Sequence, residues 1–439
     1  TGPGHASIFS GTTPSVHGII GNDWYDKIKD KTVYCTTDNK YQTVGADAKY
    51  GKVAPTNLKV TTVADQNRIF TQMRGKTVGV SIKDRGAVFP SGHTANGAYW
   101  FEGLNEGKWV TSSYYMDELP EWVKDFNTSS NMLKYLKTWN TYYNINLYQE
   151  SGPDNSNYEK EFNGKTAPVF PYDLKELMTS NEGYDIIKTS PFGNTMTTDF
   201  ALSAIEAEGL GDDEFTDFLT ISYSSTDYVG HDFGLSSVEL QDTYLRLDLE
   251  IERLLNYLDQ NVGKGNYTLF LTADHGAAEV PAYLSDINVP GSNIGKDDFS
   301  PLFDAMKAKY RVPDLIKNIS NNQVFLNQLL DRSKNLYHTA LIKLSHKTLN
   351  ISNYGYIKLN VTADIPEQPK ILTINADTSS NATFCLTIPG SILIKSDSVT
   401  KIDKFTFEIS NDINFTSVKT IESTTSRAQF DFTQTGTFY

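Results

Sequence analysis

Cysteine is nearly absent: Cys35 and Cys385 are the only two in 439 residues. They are too few and too far apart for a disulfide framework, and a structural zinc site of three or four thiolates is excluded. Long apolar runs are missing too, so nothing in the sequence reads as a membrane-spanning helix. Basic charge is scarce, with 39 Lys and Arg against 53 Asp and Glu, for a net charge of −14. That balance excludes a nucleic-acid binder, which needs concentrated cations. A site for any anionic substrate must then be made locally positive, by metal ions or by a few placed cations. Internal repeats and low-complexity tracts are also lacking.

What remains is soluble-protein composition, 39% hydrophobic and 21% charged. Residues 1–326 read as one α/β unit. Phe218–Tyr223 (FLTISY) and Tyr267–Thr272 (YTLFLT) are short apolar runs of the kind that form buried parallel strands. Between them Leu240, Tyr244, Leu247, Ile251, Leu254, Leu255 and Leu258 recur at helical spacing over Ser237–Gln260. Strand, helix, strand predicts a βαβ unit and a largely parallel sheet flanked by helices. Residues 96–173, rich in Trp and Tyr, read as an insertion, either a lid or an ordinary structured segment. From residue 335 to 439 short alternating runs (Gly355–Val361, Ala382–Ile388, Lys404–Ile409, Arg427–Phe432) predict a partial β-sandwich of fibronectin-III or Ig type.

Four clusters carry chemistry. Asp227 and His231, four apart after a predicted strand, offer a carboxylate oxygen and an imidazole nitrogen that can meet on one zinc ion. Alone, that spacing is equally an exposed pair. Asp274-His275-Gly276 repeats the pattern after the next predicted strand, and two such clusters at successive strand ends point to a bound metal pair. Thr1-Gly2-Pro3-Gly4-His5 places a hydroxyl before a helix start, where N–H groups favour an anion. A threonine hydroxyl is a poor nucleophile unless a metal lowers its pKa. Asn22, Lys83 and Arg85 supply donors for phosphate oxygens, although two solvated cations after a β-run are the bland alternative.

Taken in order, TGPGHASIFSGTTPSVHGIIGNDWYDK, SIKDRGAVFPSGH, SSTDYVGHDFG, DTYLRLD and TADHGAAEVP resemble the alkaline phosphatase superfamily, in particular its bacterial Thr-nucleophile monoesterases. The resemblance implies that Thr1 is the nucleophile and, as its alkoxide, a zinc ligand. It makes Asp227 and His231 ligands of the zinc on the leaving-group side, and Asp274 and His275 ligands of the zinc on the nucleophile side. Asn22, Lys83 and Arg85 are then the groups that bind the non-bridging phosphoryl oxygens. Two zinc ions about 4 Å apart would clamp the attacking and leaving oxygens of an in-line displacement. The implied activity is phosphate monoester hydrolysis through a phosphothreonine, in a periplasmic or secreted protein. A phosphodiesterase or nucleotide pyrophosphatase of the same superfamily is the rival enzyme, and the Lys-x-Arg pair argues against it.

The family pattern is incomplete here. The Asp that precedes the nucleophile and a late third histidine are both missing, so each zinc site is expected to lack one ligand. The expectation is a weakly active or inactive fragment, or a binding protein whose β-module engages a protein or carbohydrate. His338 and His346 lack the flanks of a substitute ligand, and His5, His17 and His93 read as structural.

Overall fold

The computed structural model describes residues 1–47, 52–104, 106–291, 299–310, 315–321 and 323–326, and beyond them a set of short strands. It divides into two compact units, Thr1–Ile294 and Gly295–Tyr439.

The first unit opens with helices α1 (Gly2–Ser10) and α2 (Pro14–His17), then a hairpin of β1 (Asp23–Asp26) and β2 (Lys31–Tyr34). Next come β3 (Thr43–Val44), α3 (Val63–Phe70), β4 (Thr77–Ser81), α4 (Asp84–Ser91), β5 (Gly97–Glu102) and β6 (Lys108–Ser112). After these follow α5 (Glu121–Phe126), α6 (Ser129–Leu133), the paired β7 (Thr138–Trp139) and β8 (Tyr172–Asp173), and α7 (Leu174–Leu177). The unit continues with α8 (Pro191–Glu208), β9 (Phe218–Ser222), α9 (Ser225–Phe233), α10 (Val238–Leu258) and α11 (Pro281–Asp286).

Its five-stranded sheet runs in the order β3-β6-β5-β4-β9. Strand β4 pairs in parallel with both β5 and β9, whereas β6 runs antiparallel to β5 and to β3. The sheet is therefore mixed rather than largely parallel, because β5 turns directly into β6 through a short connection that permits only antiparallel pairing.

Helix α10 occupies the predicted span, capped by the Ser237 hydroxyl on the Leu240 N–H at 3.1 Å. The strand expected at Tyr267–Thr272 does not form. Those residues pair with no strand among the described residues, and Leu269, Phe270 and Leu271 are 43%, 58% and 70% exposed. An apolar, β-prone run becomes a strand only when a neighbouring edge completes its backbone hydrogen bonds. The βαβ unit read from this stretch is accordingly half present: strand and helix are there, the second strand is not.

The aromatic stretch 96–173 is no separate cap at its start, since β5 and β6 are sheet strands. Its rings fill the main core: Trp109 stacks on Phe200 of α8 at 4.1 Å between centroids, Tyr99 and Phe126 meet the same ring edge-on, and Trp122 packs tilted against it. Farther along, Asp242 of α10 is fully buried and accepts from Trp139 Nε1 (2.7 Å), Tyr142 N (2.6 Å), Tyr148 Oη (2.5 Å) and Arg246 Nε (2.6 Å). A single carboxylate thereby ties the loop after β7 to the long helix.

In the second unit, α12 (Ser300–Tyr310) precedes the hairpin of β10 (Ile316–Ser320) and β11 (Gln323–Leu326). Beyond it lie β12 (Ile357–Thr362), β13 (Thr373–Asn375), β14 (Ser391–Lys395), β15 (Lys404–Ser410), β16 (Val418–Ser423) and β17 (Arg427–Gln429). They pair antiparallel as β12-β15-β16 and β13-β14-β17. Ala382–Ile388, Cys385, His338 and His346 lie outside the described residues. No helix among the described residues is long and apolar enough to cross a membrane.

Candidate active site

Two adjacent parallel strands, β4 and β9, end side by side, and the chemistry-bearing residues follow each of them directly. Lys83 and Arg85 flank the start of α4, immediately after β4, and Asp227 lies in the first turn of α9, after β9. Ligand groups beyond the carboxyl ends of parallel strands are the expected arrangement for an open α/β sheet.

Thr1 is the N-cap of α1, its Oγ1 accepting from Gly4 N at 3.1 Å. Pro3 in the first turn has no N–H to lose there. Gly4 lets the turn press against the chain after residue 273: a Cβ at Gly4 would stand 2.0 Å from the Asp274 carbonyl oxygen. The Thr1 amino group bonds the Asp274 carboxylate. His5 Nδ1 donates to Thr1 O at 2.7 Å and also stands 3.3 Å from Asp274 Oδ2, while Nε2 meets Ser222 Oγ at 3.1 Å. Burial pushes the His5 pKa down against the pull of Asp274, so the imidazole favours its neutral form.

On the other side, Lys83 Nζ bonds the Asp227 carboxylate and lies 4.3 Å from the centre of the Tyr228 ring. Burial pushes the Asp227 carboxyl up, but Lys83 and the two nearby imidazoles outweigh it and hold the group below the usual carboxylate range. The same balance, with the Thr1 amino group and His5 as partners, holds Asp274 down. His231 Nε2 and His275 Nε2 each stand 3.4 Å from Asp227 Oδ1, and His275 Nε2 is 3.8 Å from Asp274 Oδ2. The i, i+4 spacing on α9 puts Asp227 and His231 on one helix face.

Two ligands bound at about 2.0–2.1 Å on a tetrahedral zinc ion lie about 3.3 Å apart; Asp227 and His231 stand at 3.4 Å and Asp274 and His275 at 3.8 Å. No three His, Cys, Asp or Glu side chains converge on one point among the described residues.

Asn22 stands just before β1. Its Oδ1 accepts from Gly2 N at 2.7 Å, which orients the amide and leaves the Nδ2 donors without a hydrogen bond among the described residues. Cys35 N donates to Asn22 O at 2.8 Å, closing the base of the β1–β2 hairpin. Burial pushes the Cys35 thiol up to about 12, so it packs as an inert side chain against Gly2.

Arg85 donates from Nη1 to Tyr34 Oη at 3.0 Å, and its Nε is buried with no partner among the described residues. Tyr34 Oη in turn donates to Asp84 Oδ1 at 2.7 Å. Sequence reading missed Tyr34 and Asp84, because nothing along the chain announces that a residue at the end of a short hairpin meets a helix start about fifty residues on. Every other proposed site residue is drawn into one region. His17 and His93 are structural: His17 bonds Ser7 Oγ at 2.9 Å and accepts from Ile19 N at 3.1 Å, and His93 pairs with Asp65 at 3.2 Å. His5, read as structural, bonds the Thr1 backbone and Ser222 and neighbours Asp274.

Known proteins resemble this chain in sequence and fold. A protein from Myroides odoratus named calcium-transporting ATPase is 45% identical over 80% of this chain and 64% of its own length. The alkaline phosphatase PhoV of Synechococcus elongatus is 43% identical over 85% of this chain and 68% of that protein. The crystal structure of alkaline phosphatase PafA superposes with a TM-score of 0.75 at 40% identity, covering 84% of this chain and 71% of that one. The chain thus spans about two thirds of the length of the curated relatives it matches. The family model for type I phosphodiesterase / nucleotide pyrophosphatase matches residues 1–370, more than half the chain, and the protein belongs to that family, within the alkaline phosphatase superfamily.

Proposed function

We propose that this protein hydrolyses phosphate monoesters, with Thr1 as the nucleophile. The observation that carries the reading is the chain of close contacts joining Thr1, Asp274, His275, Asp227, His231 and Lys83, from α1, α4, α9 and the segment after α10. Asp227 with His231, and Asp274 with His275, are the residues that would hold zinc. Bound there, zinc supplies Lewis acidity to the threonine oxygen and to the leaving group.

The protein's own residues do the rest. Position at the N-cap places the Thr1 oxygen at the positive end of the α1 dipole, where negative charge is favoured. As Thr1 Oγ1 gives up its proton to solvent and bonds to phosphorus, the ester oxygen departs with its electron pair and takes up a proton from solvent, leaving a phosphothreonine. Water then attacks the same phosphorus, and the threonine oxygen leaves and regains its proton. Asn22 Nδ2, Lys83 Nζ and Arg85 Nε are the donors for the equatorial oxygens, whose charge is spread in a loose phosphoryl-transfer transition state.

Diester hydrolysis is the second reading, favoured by the description of the matching family model. A monoester phosphoryl group carries one more negative charge than a diester, and Lys83 with Arg85 supply cations suited to that extra charge. With zinc present, Arg85→Ala is expected to lower kcat/KM for an aryl phosphate by about 10²–10³, the cost of losing one transition-state donor. The same substitution is expected to change bis-aryl phosphate turnover less. Equal losses on both substrates would remove the basis for preferring the monoester.

A further inference from the structure

We infer that Tyr34 is a positioning residue for Arg85, and that the Tyr34–Asp84–Thr36 cluster sets the direction of the guanidinium toward a phosphate oxygen. The inference rests on reading Arg85 as an anion donor. The geometry is a directional relay. Arg85 Nη1 donates to Tyr34 Oη at 3.0 Å, Tyr34 Oη donates to Asp84 Oδ1 at 2.7 Å, and Thr36 Oγ1 donates to Asp84 Oδ2 at 3.1 Å. The Arg85 backbone N–H also donates to Asp84 Oδ1, at 2.6 Å, so the carboxylate grips both the start of α4 and the tyrosine that holds its side chain.

Each link has a physical consequence. A phenol that donates to a carboxylate is polarised, and its oxygen becomes a better acceptor for the guanidinium. An arginine presents its donors in a rigid planar fork, so fixing Nη1 fixes Nε as well. Nε is a buried donor without a partner among the described residues, and burying an unpaired N–H is costly unless a ligand oxygen takes it. Burial pushes Arg85 down, but Tyr34 and Asp84 more than restore it, so the cation is kept where it is held.

The β1–β2 hairpin gives this contact a second effect. Asn22 precedes β1 and Tyr34 ends β2, in a hairpin where Asp23 pairs with Tyr34 and Cys35 N bonds Asn22 O. One hairpin therefore carries a proposed phosphoryl donor at its start and the residue that orients another at its end. The relay makes Tyr34 oriented support rather than filler: a phenylalanine would keep the packing and lose only the hydroxyl.

The test is a double-mutant cycle on the zinc-loaded full chain with Tyr34→Phe, Arg85→Ala and the pair. It reads kcat/KM for p-nitrophenyl phosphate and the affinity for inorganic phosphate by calorimetry, which needs no turnover. Tyr34→Phe is expected to lower both by roughly tenfold, and to add no further loss in the Arg85→Ala background. Thr36→Val, which leaves Tyr34 in place, is expected to show a smaller loss that also vanishes without Arg85. A Tyr34→Phe loss that persists undiminished in Arg85→Ala would mean a merely structural role and overturn the inference, as would no loss at all. An Arg85→Ala protein that binds phosphate as the parent does would instead overturn the reading of Arg85 on which the inference stands.

Discussion

Lys83 and Arg85 stand two residues apart yet answer to different partners. Lys83 is paired with Asp227, one of the zinc-ligand candidates, whereas Arg85 is held by Tyr34. Removing Lys83 should therefore disturb metal loading as well as phosphate binding, and removing Arg85 only the latter. Zinc content of purified Lys83→Ala and Arg85→Ala proteins checks this, with a deficit expected in the first alone. His93 illustrates a residue whose work is structural. The Asp65 carboxylate raises the His93 pKa above its ordinary 6.5. Burial pushes the Asp65 carboxyl up, but hydrogen bonds from His93, Thr62 and Thr94 win and bring it to about 2. Because the histidine value is raised on folding, its stabilisation is full below pH ~6.5 and fades as pH climbs through the raised value. The Asp65 contribution runs the other way, present above the ordinary carboxyl value and lost only as pH falls toward 2. His93→Gln should lower stability by about 1 kcal/mol more at pH 5.5 than at pH 9, read from denaturant midpoints at both pH values.

At the scale of elements, close approaches of backbone explain glycines that the sequence shows only as turn residues. Gly92 has φ +75°, and a Cβ there would lie 2.4 Å from Asp65 Oδ2. Gly92→Ala is expected to cost about 1–3 kcal/mol, with thermal unfolding as the readout and an unchanged midpoint as the contrary result. Gly4→Ala should act on the site itself, pushing the first turn of α1 from the Asp274 backbone. The long helix α10 was legible because its apolar spacing and its Ser237 cap are both local. The role of Asp242 on that helix was not, since its partners at 139–148 lie about a hundred residues back. Asp242→Asn should cost about 2–3 kcal/mol by leaving Arg246 and buried donors short of a charged acceptor. Calorimetry on the intact chain checks that, and a loss under 0.5 kcal/mol would contradict it.

For the whole molecule, the α/β class could be read from the strand and helix patterns, and Thr1, Asn22, Lys83, Arg85, Asp227 and His231 sit where elements start or end, whereas Asp274 and His275 lie in a segment that forms neither strand nor helix. The mixed sheet could not be read in this way. Strand direction depends on which edges are free, and hydrophobic pattern is blind to that. The unpaired run at 267–272 has the same origin: its residues suit a strand, and the described residues bring no neighbour to it. The histidines at 338 and 346 lie outside the described residues, and among the described residues the proposed zinc ligands are the two donor pairs. Metal stoichiometry on the full chain is expected to reach two zinc per protein and to fall when Asp227 or Asp274 is changed to Ala.

The central claim is that Thr1 transfers a phosphoryl group from a monoester to water, and the rate ratio for p-nitrophenyl phosphate over bis-p-nitrophenyl phosphate tests it most directly. Measured with zinc on the parent chain and on Thr1→Ala, kcat/KM should favour the monoester in the parent and drop to background for both substrates in the variant. Diester turnover exceeding monoester turnover, or a Thr1→Ala protein that keeps the parent's rate, would contradict the account.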